Sequence, residues 1–128
     1  MFQKGKVDAL LAAIWTKERK GWGVFPRDKN GKLDSSKKIL SARYSIFTHR
    51  DSNVSWDGKK VLNLTNGLYS PRGYVVTKIL TNLGVLQRFS SDPILVLDAV
   101  ARERIDGFVS TERVAKHLLK QKNLALNN

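Results

Sequence analysis

"NGLYSPRGYVVTKIL" (Asn66–Leu80) is the stretch from which the fold is read. A short apolar pair, Leu68 and Tyr69, meets Ser70 and then Pro-Arg-Gly before an apolar pattern of helical period begins. Ser70 suits an N-cap, Pro71 the first helical position and Gly84 the residue after the end, so the signals predict a helix over Pro71–Leu83. Val75, Ile79 and Leu83 recur at four-residue spacing, with Val76 and Leu80 beside them. Arg72 and Gly73 in the first turn admit two readings. One is ordinary punctuation with the arginine facing water. The other is a helix start that holds an anion on its free N–H groups and dipole, with Gly73 allowing close approach to the backbone.

Working outward, the same grammar repeats. Val85–Phe89 reads as a strand. Ser91-Asp92-Pro93 is a second cap-then-proline signal, opening a helix over Pro93–Arg104. Gly107–Ser110 reads as a strand, and Ser110 or Thr111 caps a last helix to about Leu119. With Gly67–Ser70 as the first strand, strands alternate with helices, which implies parallel pairing by right-handed crossovers and an α/β class. The expected core is Leu68, Val75, Ile79, Leu83, Leu86, Leu95, Leu97, Val100, Phe108, Val109, Val114 and Leu118.

Upstream the pattern is looser. Val7–Ala13 is apolar and reads as a buried strand or a short helix, which periodicity alone does not separate. Trp15–Pro26 is a basic and aromatic loop. Arg27–Lys38 is lysine-rich with an Asn30-Gly31 turn, and is the best linker. Tyr44–His49 alternates as a strand would, and Asp57-Gly58 marks another turn.

Composition bounds the function. The chain has 128 residues, 41% hydrophobic, with a net charge of +12 and no cysteine. That size fits one small domain with a packed core. Disulfide and thiolate chemistry are excluded. No apolar run approaches the roughly 20 residues of a membrane span, and no small-residue cleavage pattern follows the run Val7–Trp15 that would make it a signal peptide. The charge favours anionic partners. It is denser in residues 1–43, where eleven Lys or Arg face four acids, than in 44–128, where twelve face seven. No catalytic set emerges. His49 and His117 follow no metal-ligand spacing, no serine sits in a nucleophile elbow, and Asp98 and Asp106 lie on different elements and are expected to face solvent. No metal or cofactor is implied.

Four segments in order carry a family likeness: "GKVDALLAAIWTKERKGWGVFP" from Gly5, "YSIFTHRDSNVSWDGKKVLNL" from Tyr44, "GLYSPRGYVVTKILTNLG" from Gly67 and "DPILVLDAVARERIDGFVS" from Asp92. This order resembles the amino-acid-type (family 3) extracellular solute-binding proteins of ABC transporters, with a type 2 periplasmic-binding fold. The resemblance runs from Gly5 to Leu119. It implies a first-lobe remnant and hinge over 1–43 and a second lobe over 44–128, the latter a three-layer α/β lobe with a mainly parallel sheet. Family members are about twice as long, so the chain reads as truncated. The resemblance further implies a non-catalytic domain for a small anionic or zwitterionic solute, periplasmic or extracellular, or cytoplasmic if Met1 is the true start.

Site residues follow from the same resemblance. Arg19, three residues after Thr16, takes the place of the arginine that forks onto a ligand carboxylate, a match of two donors to two oxygens. From the residues alone it is one cation of Lys17–Lys20. Ser70, Arg72, Gly73 and Tyr74 take the place of the second-lobe turn that contacts ligand. Trp15 is the aromatic nearest the arginine, with Trp22 and Phe25 as further candidates for a ring sandwich. Thr111 stands where the family commonly places an aspartate for the ligand's amino group, with Glu112 one residue off register. Glu103 stands where glycine is commoner. A homodimer through Met1–Phe25 is a further expectation, and a basic nucleic-acid-binding or protein-interaction module is the alternative class.

Overall fold

A computed structural model describes residues 4–11 and 13–122. Two compact units divide the chain, Met1–Ser41 and Ala42–Asn128.

None of the described residues of the first unit is buried. Two single-turn 3-10 helices, Arg19–Gly21 and Ser35–Lys37, lie among its described residues. The apolar run Val7–Ala13 corrects the expectation of a buried strand or helix. Its described residues form neither, and Leu10 and Leu11 are exposed; Ala12 lies outside the described residues. The lysine-rich stretch expected to be a linker is a closed turn. Arg27 and Leu33 form an antiparallel bridge, and Asp28 Oδ1 accepts the N–H groups of Asn30 and Lys32 at 2.8 and 2.9 Å.

The second unit holds helices and a mixed sheet with some parallel pairing. In chain order it has β1 (Tyr44–Thr48), β2 (Ser55–Trp56), β3 (Val61–Leu62), β4 (Leu68–Tyr69), α1 (Val75–Asn82), α2 (Pro93–Ala101), β5 (Gly107–Thr111) and α3 (Glu112–Lys122). The main sheet runs β1-β5-β4. β4 is parallel to β5, with Leu68 beside Gly107, and β1 is antiparallel to β5, with Phe47 opposite Phe108. The stretch Val85–Phe89 joins by one parallel bridge, Leu68 to Leu86, made by Leu68 N to Val85 O at 2.8 Å and Gln87 N to Leu68 O at 2.6 Å. Pairing is this short because β4 itself is short. Gly67 before it has φ +86°, and Pro71 after it has no N–H to offer a ladder. β2 and β3 form a separate hairpin around the Asp57-Gly58 turn.

Alternation along the strands divides the apolar residues between two clusters. Phe47, Tyr69 and Phe108 pack with Val96, Leu97 and Val100 of α2 and with Ala115 of α3. Their sequence neighbours Ile46, Leu68 and Val109 pack with Val76 and Leu80 of α1. The inward row of α1 is therefore Val76 and Leu80. Ile79 and Leu83, expected in the core, are exposed, as are Leu95 of α2 and Val114 of α3.

Helix boundaries also differ from the signals. α1 starts at Val75 rather than Pro71 and is capped by Tyr74 without a side-chain bond. Gly73 has φ +81° and Tyr74 is extended, so the chain cannot be helical through either residue, and Ser70 is not the cap. α2 starts as expected: Asp92 Oδ1 accepts Ile94 N at 2.8 Å, and Pro93 takes the first position. It stops at Ala101 rather than Arg104, and Glu103 just beyond has φ 56°. A left-handed residue at 103 is the physical reason glycine suits that place. Ser110 lies inside β5 and is fully buried, so it caps nothing.

Candidate functional site at the carboxyl ends of the sheet

Beyond the carboxyl end of β4 the chain leaves through Ser70, Pro71 and Arg72 toward α1. Beyond the Leu86 bridge it leaves through Arg88, Phe89 and Ser90 toward α2. The two helices belong to different apolar clusters, so the exits diverge. A groove opens where they part, lined by Tyr69, Ser70 and Arg72 on one side and Gln87, Arg88 and Phe89 on the other. Crevices outside strand carboxyl ends are where open α/β sheets bind ligands.

The groove's floor is fixed by burial. Ser70 is 3% exposed and Tyr69 6%. Tyr69 stacks on Phe108 with ring centroids 6.0 Å apart. Thr77 Oγ1 donates to Pro71 O at 2.8 Å and lies 3.4 Å from Ser70 Oγ, holding the exit turn against α1. Burial raises the Tyr69 phenol above its usual value; the Arg72 charge opposes this and the Asp92 carboxylate adds to it.

The expected site residues fall into three places. Ser70 and Arg72 line the groove. Tyr74 and Thr111 are gathered at the same end of the sheet by Tyr44: Tyr44 meets Tyr74 edge-on at 6.5 Å and faces Thr111 across the β1–β5 ladder. Neither of them lines the groove, and Gly73 is exposed in the turn between. Trp15, Thr16 and Arg19 belong to the first unit. There Thr16 Oγ1 accepts Arg19 N at 3.1 Å, and the Arg19 guanidinium donates to Ile14 O at 2.9 Å. Trp15 is 39% exposed, and Trp22 and Phe25 are half-buried.

Three features escaped the sequence reading. Gln87, Arg88 and Phe89 carry no motif, and only the Leu86 bridge brings them to the groove. At the opposite end of the sheet a second groove is lined by His49, Asp51, Asn63, Asn66, Glu103 and Asp106. There Asp106, expected to face solvent, accepts the N–H groups of Thr65, Asn66 and Gly67 on Oδ2 at 2.7, 2.6 and 2.7 Å. His49 Nδ1 accepts Asp51 N at 3.3 Å and lies 3.5 Å from Glu103 Oε1. Asp98 faces solvent as expected and there pairs with Arg102 at 2.9 Å. Among the described residues no group of His, Cys, Asp or Glu could hold a metal ion, and no helix is long and apolar enough to cross a membrane.

Comparison of the chain with protein-family models, curated proteins and solved structures finds no match.

Proposed function

We propose that the protein is a solute-binding-protein-like domain that holds a small carboxylate or amino-acid-like solute without transforming it. On this reading the second unit is a three-layer lobe, α1 on one face of the sheet and α2 with α3 on the other. The observation that carries the reading is the divergence of two strand exits at the carboxyl ends of β4 and the Leu86 bridge, with Ser70 and Arg72 in the groove between them. Arg72 offers a fork matched to a carboxylate, and buried Ser70 and Tyr69 supply neutral donors beside it.

Thermal unfolding against a panel of amino acids and small carboxylates tests this. Ligand at 100 times its dissociation constant stabilises by about 2.7 kcal/mol, so a true ligand raises the melting temperature by several degrees. A flat response across the panel sinks the reading. Arg19→Gln in the same assay asks whether the first unit takes part: loss of the shift extends the site to Arg19, and an unchanged shift confines it to the second unit.

A second reading, a self-associating interaction module, draws on the exposed pair Ile79 and Leu83 on α1. Concentration-dependent dimerisation that Ile79→Lys abolishes supports it; a monomer at high concentration removes it.

A further inference from the structure

We propose that the groove beyond β4 and the Leu86 bridge takes a doubly charged anion with an apolar body, one that carries no ammonium group, and that Arg72 and Arg88 are its two charge partners. The inference rests on the solute-binding reading and narrows it to a class of ligand.

The two arginines come from different strand exits. Arg72 lies four residues beyond Leu68 and Arg88 two beyond Leu86, the pair that bridges the segments. Both line the groove, and no carboxylate does. Three other arginines are engaged by the protein: Arg102 by Asp98 at 2.9 Å, Arg19 by Ile14 O at 2.9 Å, and Arg27 by Gly31 O. Among the described residues no carboxylate forms an ion pair with Arg72 or Arg88. Two guanidinium groups thus line one groove with no carboxylate among the residues that line it. A dianion relieves both charges at once, and a monoanion leaves one unmet.

Neutral donors complete the charge pattern. Ser70 and Ser91 line the groove with the Tyr69 hydroxyl, and none of these favours a cation over water. An ammonium is best met by a carboxylate, and none lines the groove. Asp92 commits Oδ1 to Ile94 N and is not part of the lining. Phe89 is 52% exposed and lies on the groove wall, an apolar surface for the carbon chain between two charges. Dicarboxylates have this pattern, and phosphate monoesters share its double charge on a single group.

Calorimetric titration of the full chain near pH 7.5 at low salt separates the possibilities. The probes are glutarate, monomethyl glutarate, glutamate and glycerol phosphate. Glutarate and monomethyl glutarate differ by one charge, and glutarate and glutamate by one ammonium. Glutarate is expected to bind at least tenfold tighter than either. Arg72→Gln and Arg88→Gln should each remove that preference, with the ligand-free melting temperature unchanged because both side chains are exposed. Tighter binding of glycerol phosphate than of glutarate, dependent on both arginines, also supports the dianion and identifies its source as a phosphoryl group. Equal affinity for glutarate, its monoester and glutamate, indifferent to Arg88→Gln, overturns the dianion and leaves the solute-binding reading standing. Binding that survives loss of both arginines overturns it as well. Silence from all four probes and from the wider carboxylate panel overturns both readings.

Discussion

At the scale of single residues, Asp106 anchors a turn of the second unit. Its Oδ2 accepts three consecutive N–H groups, from Thr65, Asn66 and Gly67, and so fixes the turn that delivers Leu68 into the sheet. Hydrogen bonds to a charged acceptor contribute about 1.5–3 kcal/mol each, but these amides reach water once released. Asp106→Ala is therefore expected to cost about 2–3 kcal/mol in urea unfolding at neutral pH, and a loss below about 0.5 kcal/mol would show the anchor to be incidental. Its role was not legible in sequence, because its partners lie some 40 positions away and no local spacing records them. Tyr69 gives a second residue-scale test. Its phenol is raised above 10.0, chiefly by burial, so the fold binds the proton more tightly than the unfolded chain does. The contribution is complete below about pH 10 and is lost as pH rises through the folded value. The stability difference between the native protein and Tyr69→Phe should hold constant to about pH 10 and then move in the variant's favour. Urea unfolding from pH 9 to 11 measures it, and a constant difference throughout would place the phenol in solvent. Ser110 offers the reverse case: its hydroxyl is fully buried with no hydrogen-bond partner. Ser110→Ala should be neutral or stabilising by up to about 1 kcal/mol, because it removes a desolvated group that gains nothing in return. A loss above about 1 kcal/mol in the same unfolding assay would reveal a bond that the hydroxyl makes.

At the scale of elements, what was legible was punctuation. Asp92-Pro93 starts α2, Gly84 follows α1, and Asp57-Gly58 turns the β2–β3 hairpin, because each signal acts within a few residues of itself. Asp57 Oδ1 accepts Lys60 N and Lys59 N, which hold its carboxyl below the usual value. Facing was less legible. α1 carries two adjacent apolar rows, Val75-Ile79-Leu83 and Val76-Leu80, and a four-residue period fits either. The polar residues decide between them: Lys78 and Asn82 mark the outer side, and the direction opposite their midpoint falls on Leu80 at about 100° per residue. Burial follows that line, with Leu80 at 4% exposure and Ile79 at 51%. The consequence is a sharp contrast between neighbours. Leu80→Ala should cost about 2–5 kcal/mol through lost burial and a cavity, and Ile79→Ala under about 0.5 kcal/mol, as surface changes do. Equal losses in chemical denaturation would mean that Ile79 is covered after all. The parallel strands were legible as segments, but their lengths were not, since Gly67 and Pro71 shorten β4 for reasons of backbone conformation and missing donors.

At the scale of the whole molecule, the question is where the free energy of folding resides. Apolar content misleads here. Val7–Trp15 is as apolar as any run in the chain, yet no described residue of the first unit is buried, whereas both apolar clusters draw all their members from the second. Dense positive charge is the physical counterweight. Residues 1–43 hold eleven cations against four acids, and compaction of like charges is opposed by self-repulsion. Burial of apolar surface dominates stability, so almost all the cooperative unfolding should belong to the second unit. A polypeptide of residues 42–128 is expected to unfold cooperatively in urea with an m-value within about a tenth of the full chain's, because the slope scales with surface exposed on unfolding. Residues 1–41 alone should show no cooperative transition. A fall in m-value in proportion to the length removed would instead show that the first unit closes a core of its own. The same fragment then decides how far the anion groove is self-sufficient: every residue that lines it lies between Tyr69 and Ser91. Glutarate should bind the fragment with the full chain's affinity if Arg72 and Arg88 supply its recognition, and a tenfold weaker affinity would overturn that assignment.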